Sequence, residues 1–381
     1  MTRRFSPLTA TLLLAAATLP PQALAQGRPA LNDTGMRQCL TAPGRFSLDC
    51  AGTGQDGEFG RDVTHPNSRD GERGFSFAKV CHSGELAGQG SCPTDPAPGP
   101  GANDWGCTLD RVTRLTWELK TDDGGPADAD REFTHEGTGG FNDAPSYPAQ
   151  VNATGLCGAS DWRLPSLVEL QSLVNHRAPA AGGGLALDAR AFPNVRALPH
   201  WAVEVLSYDT RYAFRADFMA GGVGFYGRSG ALPVMLVRGA PLPTAGRYTV
   251  LSDEVLDRAT GLVWQRCVVG QTLVGGSCSG TASTLDWSAG LEAARAKAAA
   301  TGLAWRLPNI KELGSLMDLR VHGPALDREA FPWPAALGLW SSTPAAQWAP
   351  NLWVHDTLYG SNYVTDRGQP AASVLLVRPA R

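Results

Sequence analysis

Residues 161–170 read DWRLPSLVEL, and residues 304–313 repeat this pattern as AWRLPNIKEL. Upstream, DRVTRLTW at 110–117 matches DRATGLVW at 257–264, and downstream the same LVR closes both copies at 236–238 and 376–378. The motif Arg and the closing Arg are 75 residues apart in the first copy (163 to 238) and 72 in the second (306 to 378). Because order and spacing both survive, the chain contains a duplicated domain.

Each copy of this stretch also contains a helix start signal. Ser166 with Glu169, and Asn309 with Glu312, place an N-cap residue three positions before an acid that can bond back to it. Apolar residues then recur at helical spacing and predict a core-facing helix in each copy. They are Leu167, Leu170, Leu173 and Val174 in the first copy, and Ile310, Leu313, Leu316 and Met317 in the second.

Short apolar runs bounded by Gly and Pro predict strands elsewhere in each copy. They include residues 212–218, 234–238 and 374–378, of which the last two indicate central strands of a sheet. An Ala-rich stretch over 287–300 predicts a further helix that ends at Gly302. The expected class is α+β, with helices beside a mostly antiparallel sheet.

The first 25 residues have the features of an export signal. Arg3 and Arg4 form a basic start, residues 8–19 are apolar, and residues 23–25 form a small-x-small cleavage site. The apolar run is too short to span a bilayer, and no later run is long enough, so we expect no transmembrane segment. The mature chain is therefore expected to be secreted, periplasmic or on the cell surface of a bacterium.

Composition divides the mature chain into three parts. Residues 26–104 are rich in Gly and Asp and end in a Pro- and Gly-rich linker, which predicts a small unit held by disulfides. The first repeat covers 105–239 and the second covers 247–381, with a second linker between them. The formal charge of −3 becomes −5 when the two Arg of the signal are removed, which argues against a nucleic-acid partner.

Eight cysteines in an exported chain predict disulfide bonds. Three pairs of successive cysteines share a spacing of eleven residues, and the two that remain flank the first half of the first repeat. The predicted pairs are Cys39–Cys50, Cys81–Cys92, Cys107–Cys157 and Cys267–Cys278. Zinc binding is the alternative, but there is no CxxC motif and no His at ligand spacing from a Cys pair.

Together, the motifs D-x-x-T-G-L-x-W and D-W-R-L-P-x-x-x-E-L, closed by V-R, resemble the bacterial DUF1566 family, also called the Lcl C-terminal domain. The resemblance covers both repeats, from about residue 105 to 381. It implies two tandem C-type-lectin-like modules with mixed or antiparallel sheets and flanking helices, after a small disulfide-rich N-terminal unit. Such domains occur in exported proteins and at the tips of surface adhesins, which implies binding of sulfated or other glycans.

The Trp and Arg residues of the motifs allow two interpretations. Aromatic faces stack on sugar rings and Arg binds anions, but a Trp-Arg pair that leads directly into a capped helix favours a structural role. A ligand role for Asp161 would hold in one copy only, because Ala304 takes its place in the other. The structural motif residues are Trp117, Trp162, Arg163 and Pro165 in the first repeat, and Trp264, Trp305, Arg306 and Pro308 in the second.

The variable span between the motif helix and the closing strand contains the best surface candidates. Aromatic residues in loops can form a shallow carbohydrate face, and interspersed Arg can hold sulfate or uronate groups. The alternative is that some of these rings, such as that of Trp353, lie on strands and fill the core. The predicted ligand-binding residues are Arg211, Arg215, Arg228, Trp348, Trp353, Tyr359 and Tyr363.

One acidic loop is a weak candidate for a Ca²⁺ site, through Asp122, Asp123, Asp128 and Asp130. It lacks the EF-hand spacing and has no counterpart in the second repeat, which favours a solvated turn instead. No other metal and no cofactor is predicted. Since the sequence has neither an HExxH motif nor a Gly-x-Ser-x-Gly motif, we interpret the chain as a binding protein and not an enzyme.

The leading functional hypothesis is an exported adhesion protein whose two lectin-like modules hold a glycan or envelope polymer by avidity. A single repeat should then bind far more weakly than the tandem. One alternative is a structural or assembly protein of the cell envelope that binds other proteins. A second is an unrecognised enzyme on the same fold.

Overall fold

The computed structural model describes residues 31–42, 44–66, 69–71, 73–177, 184–369 and 371–380. The export signal predicted for residues 1–25 lies outside the described residues. Within these ranges, no helix combines the length and the apolar character that crossing a bilayer requires. The fold is mixed, consisting mostly of small antiparallel sheets with few helices, and it contains four disulfides.

The N-terminal segment begins with a small disulfide-closed hairpin. Strand β1 (Cys39–Ala42) pairs antiparallel with β2 (Arg45–Ser47), and the Cys39–Cys50 bond closes this loop. A single 3₁₀ turn (Asp56–Glu58) and a short helix α1 (Arg61–Thr64) follow. These elements are too short to enclose a core alone, so they pack against the repeats.

The first repeat contains one four-stranded and one three-stranded sheet, both antiparallel. Its strands are β3 (Phe77–Cys81), β4 (Trp105–Asp110), β5 (Thr116–Glu118), β6 (Pro199–Val205), β7 (Tyr212–Asp217), β8 (Val223–Gly227) and β9 (Val237–Arg238). Its helices are α2 (Tyr147–Asn152) and α3 (Leu167–Leu173). The sheet orders are β3-β4-β5-β9 and β6-β7-β8, so the N-terminal segment supplies the first edge strand.

The second repeat has the same topology. Its strands are β10 (Tyr248–Leu251), β11 (Glu254–Asp257), β12 (Leu262–Gln265), β13 (Thr272–Val274), β14 (Ser277–Ser279), β15 (Gly338–Pro344), β16 (Leu352–Asp356), β17 (Ser361–Thr365) and β18 (Val377–Pro379). Its helices are α4 (Trp287–Thr301) and α5 (Ile310–Ser315). The orders β10-β11-β12-β18 and β15-β16-β17 reproduce those of the first repeat, with an added hairpin β13-β14.

The predicted motif helices are confirmed as α3 and α5. In α3, Ser166 Oγ accepts a hydrogen bond from the Glu169 amide at 3.2 Å, and Glu169 Oε2 accepts one from the Ser166 amide at 2.8 Å. The box at α5 is the same, with 2.9 and 2.8 Å for Asn309 and Glu312. Helix α4 also begins and ends where the Ala-rich stretch predicts, with Gly302 in the left-handed region (φ 66°).

The prediction that the closing runs 234–238 and 374–378 are central strands is wrong. Only their last residues form strands, and β9 and β18 lie at the end of their sheets. Their outer sides are bridged by Arg163 and Arg306, whose backbones exchange hydrogen bonds with Val237 and Val377. The runs are apolar because the motif segment covers them, not because further strands flank them.

The two repeats share a core. The largest buried cluster includes Trp117 and Leu170 of the first repeat together with Trp264 and Leu313 of the second. Helices α3 and α5 pack against each other, and the buried Lys311 ammonium donates to the Ser172 carbonyl at 2.8 Å. The repeats are therefore joined by a common buried core and not only by the linker between them.

The structure joins the four cysteine pairs that the spacing predicted. Three bonds close loops with a sequence separation of 11, each within a small local turn or hairpin. The Cys107–Cys157 bond spans 50 residues and ties β4 to the turn that precedes the motif. Disulfides in this number are typical of proteins in an oxidising compartment.

Candidate functional site

The motif residues are embedded in the fold. All four motif Trp side chains are buried. Each motif Arg donates two parallel hydrogen bonds to the acid of the capping box. The N–O distances are 2.8 and 2.6 Å in both pairs, Arg163–Glu169 and Arg306–Glu312. The motif thereby fixes the closing strand to the start of a helix. Such a fork is both specific and strong because both groups are charged.

Two of the three predicted Arg ligands of the first repeat have partners within the chain. The guanidinium of Arg228 donates to the carbonyls of His135, Glu136 and Thr210 at 2.5, 2.8 and 2.9 Å, so it ties loops together. Arg211 forms a two-pronged pair with Asp209 on the surface. Arg215 is the least engaged, with 3.8 Å between its Nη1 and Asp217 Oδ2.

Trp353 is not available as a surface platform. Its side chain is on β16 and only 4% exposed, and its ring packs edge-on against the ring of the buried His176 in the first repeat. The prediction that it binds ligand is corrected by this packing, because β16 faces the other repeat. Trp348, 40% exposed, covers Trp353 from outside with 5.9 Å between ring centroids, while Tyr363 is exposed on β17.

Tyr359 belongs to an aromatic face that is built from both repeats. Its ring lies 4.9 Å from that of Tyr208 and 6.0 Å from that of Phe225, and Tyr208 lies 5.4 Å from His322. Tyr212 packs edge-on against Phe225 at 5.8 Å. We call these five side chains the aromatic face.

The tip of the aromatic face is open to solvent. Tyr208 is 43% exposed and His322 is exposed. The pKa of Tyr208 is raised, because the neighbouring groups displace water from its hydroxyl and Tyr359 lies beside it. The sequence gives no signal for this grouping, since Tyr208 and Tyr359 belong to different repeats and meet only after the repeats have packed.

A groove of about 840 Å³ lies between the two repeats. We call it the open groove, and its walls include Arg163, Val203, Glu204, Leu242, Met317 and Arg320. The first repeat supplies the motif surface, the linker supplies Leu242, and the segment after α5 supplies the opposite wall. Apolar walls with a few polar groups are typical of binding sites.

Glu204 is the distinctive polar group of the open groove. Its Oε2 accepts a hydrogen bond from the Leu167 amide at the start of α3, at 2.9 Å. Burial raises its pKa to about 7, against the opposing effect of that hydrogen bond. The cations of the groove are engaged elsewhere: Arg320 with Asp318, and Arg247 with Asp257. Arg163, which is bonded to Glu169, lies near enough for its charge to oppose the rise in the pKa of Glu204, but no ion pair with Glu204 forms among the described residues.

The matching surface of the second repeat is covered. Thr343 is the counterpart of Glu204, because its Oγ1 accepts from the Ile310 amide at 3.0 Å, at the start of α5. Thr343 is fully buried and donates to Asp56 Oδ2 at 2.6 Å. The Phe59 ring lies 5.3 Å from the guanidinium carbon of Arg306. The N-terminal segment therefore fills the position that is open in the first repeat.

The sequence matches the Lcl C-terminal domain family model twice, over residues 106–238 and 253–378. The chain belongs to this family. Each repeat is thus one Lcl domain, and the structure joins the two through a common core. No curated protein matches this sequence.

A buried polar junction links the N-terminal segment to both Lcl domains. Lys311 Nζ donates to the carbonyls of Asp33 and Ser172 at 2.6 and 2.8 Å. Burial raises the pKa of Asp56 to about 7 and that of Asp62 to about 8, with Asp33 adding repulsion in both cases. Burial also lowers the pKa of Lys311 to about 7. Since these groups are enclosed, we assign them a structural role.

The acidic loop of the first Lcl domain has the geometry of a turn. The Asp128 carboxylate accepts from the amides of Asp123, Gly124 and Asp130 at 2.9, 2.7 and 2.8 Å, and these bonds lower its pKa. The oxygens at the centre of the loop are therefore committed to the backbone. Asp122 and Asp123 line a separate depression of about 730 Å³. In the described ranges, no three His, Cys, Asp or Glu side chains are grouped to hold a metal.

Three histidines are enclosed in the Lcl domains and lie away from the open groove. Burial lowers the pKa of His200 and of His355 to about 4, and that of His176 well below its usual value. These side chains are therefore neutral at physiological pH. Two of them pack against aromatic rings, His176 against Trp353 and His200 against Phe218, at 5.5 and 4.8 Å between ring centroids.

Proposed function

We propose that this protein is an exported carbohydrate-binding protein whose two Lcl domains, expected to be C-type-lectin-like, form one ligand face where they meet. The observation that supports this is the aromatic face, in which Tyr208 and Tyr359 come from different domains and lie 4.9 Å apart. The C–H groups of a sugar ring pack on the electron-rich face of an aromatic ring. Binding of a glycan or envelope polymer, without catalysis, is the proposed activity.

A positive charge beside the face favours an acidic sugar. Arg211 lies 5.9 Å from the Tyr212 ring, and its ion-pair partner among the described residues is Asp209, two positions earlier and also on the surface. A surface pair of this kind contributes little, so a sulfate or uronate can compete for the guanidinium. Arg215 is on the same strand as Tyr212 but, three positions along, points to the opposite side with Tyr226, so we do not assign it to this face.

The proposed affinity comes from one composite face rather than from two separate sites. Because the domains share a core, their relative position is set before the ligand arrives, which lowers the cost of binding. A single Lcl domain would carry only part of the face. This replaces simple avidity between independent modules as the proposed reason for the tandem.

A glycan array probed with the mature chain tests this proposal. We expect binding to sulfated or uronate-containing glycans, and at least about a tenfold loss of affinity in Tyr208→Ala and in Tyr359→Ala. Tyr226→Ala is the matched control, because Tyr226 is 48% exposed but points to the opposite side of β8 from Phe225. A parallel array with chelator reports whether Ca²⁺ takes part.

Two outcomes would contradict the proposal. One is equal loss of binding in Tyr226→Ala, which would mean that the aromatic face has no special role. The other is no glycan bound by a chain that is folded by circular dichroism. A second candidate function, binding of another envelope protein, is favoured by the open groove.

A further inference from the structure

The two motif surfaces are equivalent by their hydrogen bonds. The Val203 amide donates to the Pro165 carbonyl at 2.8 Å, and the Ser342 amide donates to the Pro308 carbonyl at the same distance. The next residue in each strand, Glu204 or Thr343, accepts from the first amide of the motif helix. A segment that covers one surface thus shows how the other can be covered.

In the second domain, the covering segment is the turn at residues 55–59. It places an acid on the strand and an aromatic ring on the motif: Asp56 accepts from Thr343, and Phe59 packs over Arg306. The segment is held further by Arg295, which donates to the Thr53 carbonyl at 3.2 Å. Arg306 is correspondingly less exposed than Arg163, at 14% against 29% of the side chain.

In the first domain, the residue at the strand position of Thr343 is Glu204, which carries an acid where Thr343 carries a hydroxyl group. Thr343 can donate a hydrogen bond to an acid, whereas Glu204 is itself an acid and can only repel one once it is ionised. A copy of the chain's own segment would bring the Asp56 carboxylate against Glu204. Above the pKa of Glu204, at pH 8 for example, both carboxylates are ionised, and like charges in a desolvated interface are strongly unfavourable. At that pH the groove therefore excludes the segment that fills its counterpart.

We propose that the open groove binds a segment of another polypeptide that places a Lys or Arg side chain against Glu204 and, three residues later, an aromatic ring over Arg163. The spacing is that of Asp56 and Phe59 on the covered surface. Val203, 46% exposed beside Glu204, supplies apolar contact for the body of the segment. This goes beyond glycan binding and uses a different site from the aromatic face.

The test uses the chain's own segment as the probe. A display library of residues 53–62 with positions 56 and 59 randomised is selected on the full mature chain and on Glu204→Thr. The variant is matched, since the second domain shows that Thr serves at this position. On the wild type we expect Lys or Arg at position 56 and an aromatic residue at 59. On Glu204→Thr, we expect Asp to replace the cation.

Affinities of two synthetic peptides then measure the preference. At pH 8, where Glu204 is ionised, the wild-type chain should bind the 53–62 peptide carrying Asp56→Lys at least about tenfold more tightly than the native peptide, and Glu204→Thr should reverse the order. Val203→Arg, which fills the open groove, should abolish binding of both peptides. The proposal is overturned by no enrichment on the wild type, by the same residues enriched on both proteins, or by binding that survives Val203→Arg. Tyr208→Ala should leave peptide binding unchanged, which separates this test from that of glycan binding.

Discussion

The first and second Lcl domains build the same motif from the same bonds, yet they differ in what lies above it. In both domains an Arg donates two hydrogen bonds to the capping-box acid, and the two N–O distances are the same in each domain. Above the fork, the second domain buries Thr343 under the N-terminal segment, while the first leaves Glu204 beside an open groove. The motif residues shared by both copies therefore serve the fold, and the proposed binding depends on residues that differ between the copies.

The motif Arg should matter more where its surroundings are more enclosed. Removing Arg306 leaves the carboxylate of Glu312 partly buried without its partner, which we expect to cost about 3–5 kcal/mol of unfolding free energy. Arg163→Ala should cost less, because Arg163 is more exposed, at 29% against 14%, whereas Arg306 also loses its contact with Phe59. The greater burial of Glu169, at 4% against 10% for Glu312, narrows the difference. Urea unfolding followed by circular dichroism measures both.

Lys variants provide the control for that comparison. Arg163→Lys and Arg306→Lys keep a charge but lose the fork, so each should fall between the wild type and its Ala variant. A larger cost for Arg163→Ala than for Arg306→Ala would show that coverage by the N-terminal segment contributes nothing to the second fork.

The disulfides should contribute unequally to the two domains. In the chain-entropy account, a bond that closes a longer loop restricts the unfolded chain more. Loss of Cys107–Cys157, with a separation of 50, should cost about 4 kcal/mol, and loss of Cys267–Cys278, with a separation of 11, about 3 kcal/mol. Thermal or urea unfolding of the two paired Cys→Ser variants tests this order. A reversed order would mean that native-state packing, and not loop length, decides their contributions.

The covered surface should respond to pH through Asp62. Folding raises its pKa from 3.8 to about 8, mainly by burial, so the unfolded state binds fewer protons between these values. The free energy of unfolding therefore falls as pH rises from about 4 to 8. Asp62→Asn should reduce this fall without abolishing it, because burial also raises the pKa of Asp56 and of Glu204 to about 7. The variant should match the wild type near pH 4 and exceed it by roughly 1–3 kcal/mol at pH 8. Asp253→Asn, at an exposed carboxylate, is the control, and parallel pH profiles for wild type and Asp62→Asn would contradict the assignment.

Local signals in the sequence predicted the local features of the fold. Ser166 with Glu169 marks a helix start because the capping bonds join residues three apart, and eleven-residue spacing suits a Cys pair across a short loop. The burial of Trp353 is a feature that such local signals cannot predict. Nothing in its neighbourhood reveals that β16 faces the first domain and buries the ring.

The parts of the candidate sites that were not predicted depend on how the two domains pack. Tyr208 meets Tyr359, and Lys311 meets Asp33, across 151 and 278 positions of sequence. The sequence indicated two self-contained repeats, whereas the open groove, the aromatic face and the polar junction exist only between them. The sequence of a duplicated chain thus reveals its modules, but not the interface between them.

The smallest expected effect is the sharpest test of equivalence between the domains. Glu204→Thr should change the free energy of unfolding by no more than about 0.5 kcal/mol, because Thr can still accept from the Leu167 amide, as Thr343 does for Ile310. Glu204→Val has no acceptor and should cost about 1 kcal/mol, the usual loss for a helix N-terminus without its cap. Urea unfolding at pH 6 measures both variants. If Thr costs as much as Val, Glu204 and Thr343 do not hold equivalent places, and the second domain is no guide to what the open groove accepts.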